Sequence, residues 1–185
     1  PLHSTPLMIT QSSSVATDGS LSGRDDYIVF GSTEGLLHVV KAGSTSSDVG
    51  GKEAFAFLPN EMLQNADQRN MFIGSNLNSH TNSFSNMQYG VDGAWTAYTE
   101  YVYKTQSDQL SLTVGSGDNN TSGKQWLYGG LRMGGRGYYA LDLSNLSSPA
   151  LKFHINPDAA ITGTPLSYMG QSWSKPAIGW VKWGK

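Results

Sequence analysis

The side chains with the chemical reach to form a site are few and scattered. The four histidines are His3, His38, His80 and His154. His38 sits in an apolar run with no second histidine or carboxylate at ligand spacing, which favours a buried, hydrogen-bonded imidazole over a metal ligand. The others have no common spacing. The glycine-dense stretch Gly129 to Gly137 invites comparison with a phosphate-binding loop. Such a loop ends in Lys-Ser/Thr and opens a helix, whereas here Arg136 and Gly137 lead into an apolar strand. Asp142 reads as a turn cap satisfying backbone N–H groups, in preference to a ligand or base. Asp118-Asn119-Asn120 lacks the alternating ligands and distal acid of a calcium loop and reads as a turn. Asn119 and Asn120 each satisfy a glycosylation sequon, a pattern common by chance. Trp95, Trp126, Trp173, Trp180 and Trp183 could form a carbohydrate platform, but packing between sheets is the favoured role for most of them. No Ser/His/Asp set or carboxylate pair stands out, so no catalytic residue, cofactor-binding residue or metal ligand is assigned.

The elements that would position these groups are mainly strands. The chain has 185 residues, a net charge of −2, 14% charged residues and no cysteine. This composition offers no basic field for nucleic acid or acidic lipid and no thiolate chemistry. Abundant Gly, Ser, Thr and Asn favour strands joined by turns. No apolar run approaches the roughly 18 residues of a membrane helix. The first residue is Pro1, and the chain reads as a piece of a longer protein.

Two stretches share one pattern of strand, glycine turn and strand: Asp26 to Ala42, and Lys124 to Leu143. Each is flanked by further strands. Leading strands are expected over Ser4–Thr10, Gly93–Tyr103 and Ser174–Trp183, and closing strands over Ala54–Leu58 and Leu151–Ile155. Ala54–Leu58 reads as buried on both faces, and Leu151, Phe153 and Ile155 as the buried face of a half-buried strand. Pro59 to Asn70 switches to helical period, with Leu58, Met62, Leu63 and Ala66 on one face. Gln11–Arg24 reads as a loop, Gly74–Asn86 as an excursion, and Lys104–Gly123 as a hairpin excursion with its tip over Lys104–Gln109. Gly137 is expected at positive φ.

The fold class expected is all-β. The architecture is a partial β-propeller of two four-stranded antiparallel blades plus the start of a third, with one short helix. The blade-like units span about 4–58 and 93–156, with helix and loop over 59–92 and the start of the next blade over 173–185. Phe55 or Phe57 should then approach Trp126 or Tyr138.

His3-Ser4 with Pro6, GSTEGLLHVV at Gly31 to Val40, GKEAFAFLP at Gly51 to Pro59, YGVDG at Tyr89 to Gly93, GGLRMGGRGYYALDL at Gly129 to Leu143 and MGQSWSKPAIGWV at Met169 to Val181 together resemble the C-terminal propeller of PilY-type proteins. The GGRGYYALD portion is the most specific. The resemblance implies a non-enzymatic type IV pilus biogenesis factor or tip adhesin, exported through the envelope to the cell surface. It implies minor pilins and the pilus machinery as partners, and a host or abiotic surface as a target. Some members carry a calcium loop in the propeller beyond the region matched here. The alternative is a quinoprotein dehydrogenase-like propeller enzyme, a family that also places glycine turns before an Ala-Leu-Asp sequence. The chain departs from that pattern at Ser144, Asn145 and Pro149, and lacks the adjacent-cysteine pair of many such enzymes.

Overall fold

The computed structural model describes residues 4–43, 49–66, 68–69 and 88–184. Among the described residues twelve strands are grouped into three four-stranded antiparallel sheets, those of the first two rich in β-branched and aromatic residues. The first sheet holds β1 (Leu7–Thr10), β4 (Asp26–Gly31), β5 (Leu37–Lys41) and β6 (Glu53–Phe57), paired in that order. The second holds β7 (Trp95–Glu100), β10 (Lys124–Gly130), β11 (Tyr138–Asp142) and β12 (Ala150–Ile155) in the same up-and-down order.

The two sheets match register for register. Leu7 faces Val29, which faces Val39, which faces Phe55; Thr96 faces Tyr128, which faces Ala140, which faces Phe153. Both carry a register shift at the same place, between Val39 and Val40 and between Ala140 and Leu141. A bulge adds local twist to the closing strand in each.

One apolar core joins the two sheets. It holds Ile9, Val29, Leu37 and Val39 from the first, and Trp95, Leu127, Tyr139 and Leu141 from the second, with Phe55 and Phe57 packed against it. The Phe57 and Tyr139 rings meet edge to face at 5.1 Å. The aromatic contact expected with Trp126 or Tyr138 thus falls one residue along, because the opposite face of β10 and β11 turns inward.

The third sheet differs in origin from the expected third unit. It consists of β3 (Leu21–Ser22), β2 (Ser12–Val15), β9 (Gln109–Thr113) and β8 (Val102–Gln106). Gln11–Arg24 is therefore not simply a loop, and Gly93–Tyr103 is not one strand. The chain leaves the first sheet at Gln11 and the second at Tyr101, and both departures feed the third sheet. Two contacts hold these crossings together. The Tyr101 hydroxyl donates to the Thr10 carbonyl at 3.0 Å, and the wholly buried Gln125 amide donates to the same oxygen at 3.0 Å. Leu110, Leu112 and Val114 alternate with Ser111 and Thr113 and mark β9, but β2 is three serines and a valine, so no apolar alternation announced its pairing with β9. The β8–β9 hairpin turns at Ser107 and Asp108, both at positive φ, as the twist of a two-residue hairpin requires.

Other expectations change in detail. Ser174–Trp183 forms no strand pairing among the described residues. In β6 only Phe55 and Phe57 approach the core, while Ala54 and Ala56 are exposed. In β12, Leu151, Phe153 and Ile155 are exposed and His154 is the residue turned inward. The helix is short, α1 (Asn60–Gln64), and buries Glu61 and Met62 rather than Leu63 or Ala66.

Candidate binding surface

The turn between β10 and β11 is held from both sides. The segment Tyr89–Gly93 passes between the two glycine turns, and the Val91 N–H donates to the Ser32 carbonyl at 3.0 Å. A Cβ on Gly31 would overlap the Val91 carbonyl, and one on Gly134 would overlap that of Gly90, so backbone lies directly on backbone. After the second sheet the chain repeats the move. The Ser172 N–H donates to the Gly135 carbonyl, and the Ser172 hydroxyl oxygen accepts from the Leu131 N–H at 2.8 Å.

Arg136 organises the loop leading there. Its Nε donates to the Met169 carbonyl at 2.7 Å and its Nη2 to the Ser167 carbonyl at 2.6 Å. Its Nη1 pairs with Asp158 at 2.5 Å. The guanidinium fork thus closes a protein loop, and the stretch Gly129 to Gly137 is a structural turn. Asp92, buried in the same region, pairs with Arg132 at 3.1 Å.

Beneath this turn lies a buried polar cluster. Glu61, on α1, accepts a short hydrogen bond from the Tyr139 hydroxyl and lies 3.1 Å from His154 Nε2. The Asn60 N–H donates to the same Tyr139 oxygen at 3.0 Å, and the Tyr139 and His154 rings stack at 4.0 Å. Burial, then the hydrogen bond to Glu61 and its negative charge, push the Tyr139 phenol far above its ordinary range. Gly137 adjoins this cluster. Its φ is not positive; glycine is needed because a Cβ would overlap Glu61 Oε1. Sequence reasoning missed Glu61, whose one signal is a carboxylate within the buried turn of a helix. The cluster docks α1 on the second sheet, and every polar group named in it faces another within the protein.

The outer face of the second sheet carries Tyr98, Trp126, Tyr128, Tyr138 and Phe153. Trp126 Nε1 donates to Asp142 Oδ2 at 3.0 Å, and its ring has Lys152 at 3.9 Å and Lys124 at 5.7 Å. Asp142 also accepts from the Ser144 N–H and hydroxyl, which makes it the expected turn cap. Its carboxyl is held below the usual range. Burial opposes this, but the Ser144 and Trp126 hydrogen bonds and the Lys152 charge outweigh it.

The tryptophans do not mostly fill the space between sheets. Trp95 does, while Trp173, Trp180 and Trp183 are exposed. Parity puts Trp126 on the outer face, and Trp173, Trp180 and Trp183 lie in a segment that pairs with no strand among the described residues. His38 is half-buried, with Ser32 Oγ at 3.2 Å, Glu53 Oε1 at 2.5 Å and the Phe30 ring stacked on it. Asp118 begins a 3-10 turn and accepts from the Thr105 N–H. His3 and His80 lie outside the described residues, as does the excursion Gly74–Asn86. Among the described residues no group of three or more His, Cys, Asp or Glu could hold a metal ion, and no helix is long and apolar enough to cross a membrane.

No family model matches the chain, and no curated protein matches it. Among solved structures it has a distant similarity to the crystal structure of the Pseudomonas aeruginosa PilY1 C-terminal domain. The identity is 21% and the TM-score 0.39, over 74% of this chain and 20% of that one. The chain therefore spans about a fifth of that domain's length.

Proposed function

We propose that this chain is part of a β-propeller that serves as a non-enzymatic binding and assembly module of the type IV pilus machinery, as a pilus-tip adhesin or biogenesis factor. The reading starts from the sequence resemblance to PilY-type proteins. The observation that carries it is how the most distinctive stretch is used. Arg136, Tyr139 and Asp142 are each engaged in internal bonds that hold turns, a helix and a loop in place. The stretch builds a frame, and recognition falls to the loops and the added third sheet.

The repeat supports the propeller. The face on which Val29, Leu37, Phe55 and Phe57 pack against the second sheet corresponds, register for register, to the outer face of that sheet at Tyr128, Tyr138, Phe153 and Ile155. Ser172 crosses Gly130 as Val91 crosses Gly31, and Pro176 follows Ser172 by the same four residues by which Trp95, the start of β7, follows Val91. Lys175–Trp183 is on this reading the leading strand of a further blade, whose body covers that outer face.

The partners are minor pilins, and the place of action is the cell surface at the pilus tip. The test is to measure binding of the full-length protein to the minor pilins of its own organism, and to count surface pili after deleting its gene. Pilin binding and a loss of pili are expected. Undiminished piliation without pilin binding would sink the reading, as would a stoichiometric quinone absorbance in the purified protein.

A further inference from the structure

A second feature lies away from the repeated turns, where all three sheets meet. A cleft of about 390 Å³ opens there, lined by Gln11 and Ser12 at the first crossing, Asp25 just before β4 and Tyr27 within it, Ser116 after β9, and the turn Ser144 to Ser147 after β11. It exists only because the chain leaves the first and second sheets to build the third.

The lining selects a class of ligand. No lysine or arginine lines the cleft, and the neighbouring Lys41 ammonium is already held by Asp25 and the Tyr27 ring, so an anion finds little counter-charge. The one carboxylate, Asp25, is paired with Lys41 Nζ, so a cation gains little either. An apolar ligand would strand the hydroxyl and amide groups of the wall without partners. What remains is a neutral molecule rich in hydroxyl groups. Serine hydroxyls both donate and accept, as does the Asn145 amide, and this suits the alternating roles of sugar hydroxyls. The hydroxyls of Ser12, Ser116 and Ser147 have no hydrogen-bond partner among the described residues. Tyr27 adds an aromatic ring, one contact of which is already with Lys41 Nζ, 5.2 Å from the centroid. The volume lies at the small end of ligand pockets and suits one or two sugar residues.

The walls are also fixed from behind. Gln11 Nε2 donates to Gln125 Oε1 at 2.5 Å and to the Leu143 carbonyl at 2.9 Å. The Ser144 hydroxyl oxygen accepts from the Gln125 N–H at 2.9 Å, and Asn145 Oδ1 accepts from the Ser147 N–H at 3.0 Å. Ser116 is bridged to Ser122 across its own loop. A lining held this way loses little further freedom when a ligand enters.

We infer that this cleft is a binding site for a neutral saccharide residue. The inference is independent of the pilus reading: pilin binding can hold while sugar binding fails, and the reverse.

Saturation-transfer NMR tests it on the whole chain, with the methyl glycosides of glucose, galactose, mannose and N-acetylglucosamine at about 5 mM, the range of weak single-residue affinities. Transfer to the ring protons of at least one glycoside is expected. Ser116→Trp and Ser147→Trp, each of which adds bulk at a lining position, should each abolish it with the melting temperature unchanged; two variants guard against one failing to fold. Ser12→Ala with Ser147→Ala should weaken binding about tenfold, the effect of losing one or two net hydrogen bonds. The inference is overturned if no glycoside receives saturation, if transfer survives both tryptophan variants, or if only a charged sugar such as sialic acid binds.

Discussion

Gly31 and Gly130 occupy the same place in two sheets. Each ends a hairpin strand opposite the first residue of the next, Leu37 and Tyr138, and each lies beneath a crossing segment, at Val91 and Ser172. The neighbour differs in kind. Val91 presents backbone to Gly31, while Ser172 presents a side chain to Gly130. Gly31→Ala should therefore be the more damaging change, with a loss of about 1–3 kcal/mol or more from overpacking. Ser172→Gly should partly rescue Gly130→Ala. Urea denaturation of the four variants checks both statements; equal losses at the two glycines would refute the first.

Gly137→Val should destabilise the fold more than Ser116→Val, because the new side chain displaces the Glu61 carboxylate from Tyr139 and His154, whereas Ser116 is exposed. Gly137→Ala and Glu61→Ala, combined, should fall short of the sum of their separate losses by about 0.5–3 kcal/mol, as expected for residues in contact. Additive losses would place the two outside one network.

The Tyr139 phenol has a folded-state pKa above its unfolded value of about 10. Its protonated form is favoured by folding, so its contribution to stability is complete below about pH 10 and is lost as pH rises from there toward the folded value. Tyr139→Phe should shrink the alkaline decline in melting temperature. An unchanged decline would assign it to other groups.

Asp142 gives the opposite sign. Its folded pKa is depressed, so its contribution is present above the unfolded value of about 3.9 and is lost as pH falls through the folded one. Asp142→Asn should be destabilising at pH 7, and the gap to the parent protein should close in acid. A gap constant down to pH 2 would trace the loss to packing instead.

Arg136→Lys keeps the charge but not the fork. One ammonium cannot reproduce the contacts to Met169, Ser167 and Asp158. Amide exchange over residues 165–172 should accelerate, with β10 and β11 little changed. Equal acceleration throughout would show that the loop is not a separate cooperative unit.

The two repeated hairpins were legible because Tyr27–Phe30 and Trp126–Tyr128 are apolar runs ending at glycines, and tight turns leave that mark. The facing of individual side chains was not. In β12 the apolar residues Leu151, Phe153 and Ile155 suggested the buried face, yet His154 faces inward to meet Tyr139. Alternation gives the two faces of a strand but does not name the covered one when both can be. Of the third sheet, the β8–β9 hairpin was legible in the alternation of Leu110, Leu112 and Val114, although its turn is shorter than the expected tip. The other half left almost no trace, because Ser12–Val15 owes its pairing to hydrogen bonds with Gln109–Thr113 and not to apolar pattern. Nor could spacing reveal the cleft at the three-sheet junction, whose walls come from residues more than a hundred positions apart.

The pairing of Ser12 with Thr113 has a temporal consequence. β2 leaves a ribosome or an export channel about a hundred residues ahead of its partner. At synthesis rates of roughly 5–20 residues per second, β2 waits several seconds in solution with its backbone unpaired. Its serines and lack of a continuous apolar stripe suit that wait, since a greasier strand would invite pairing with other chains. All four strands of the third sheet emerge before β10, so that sheet can close before the second hairpin unit is complete.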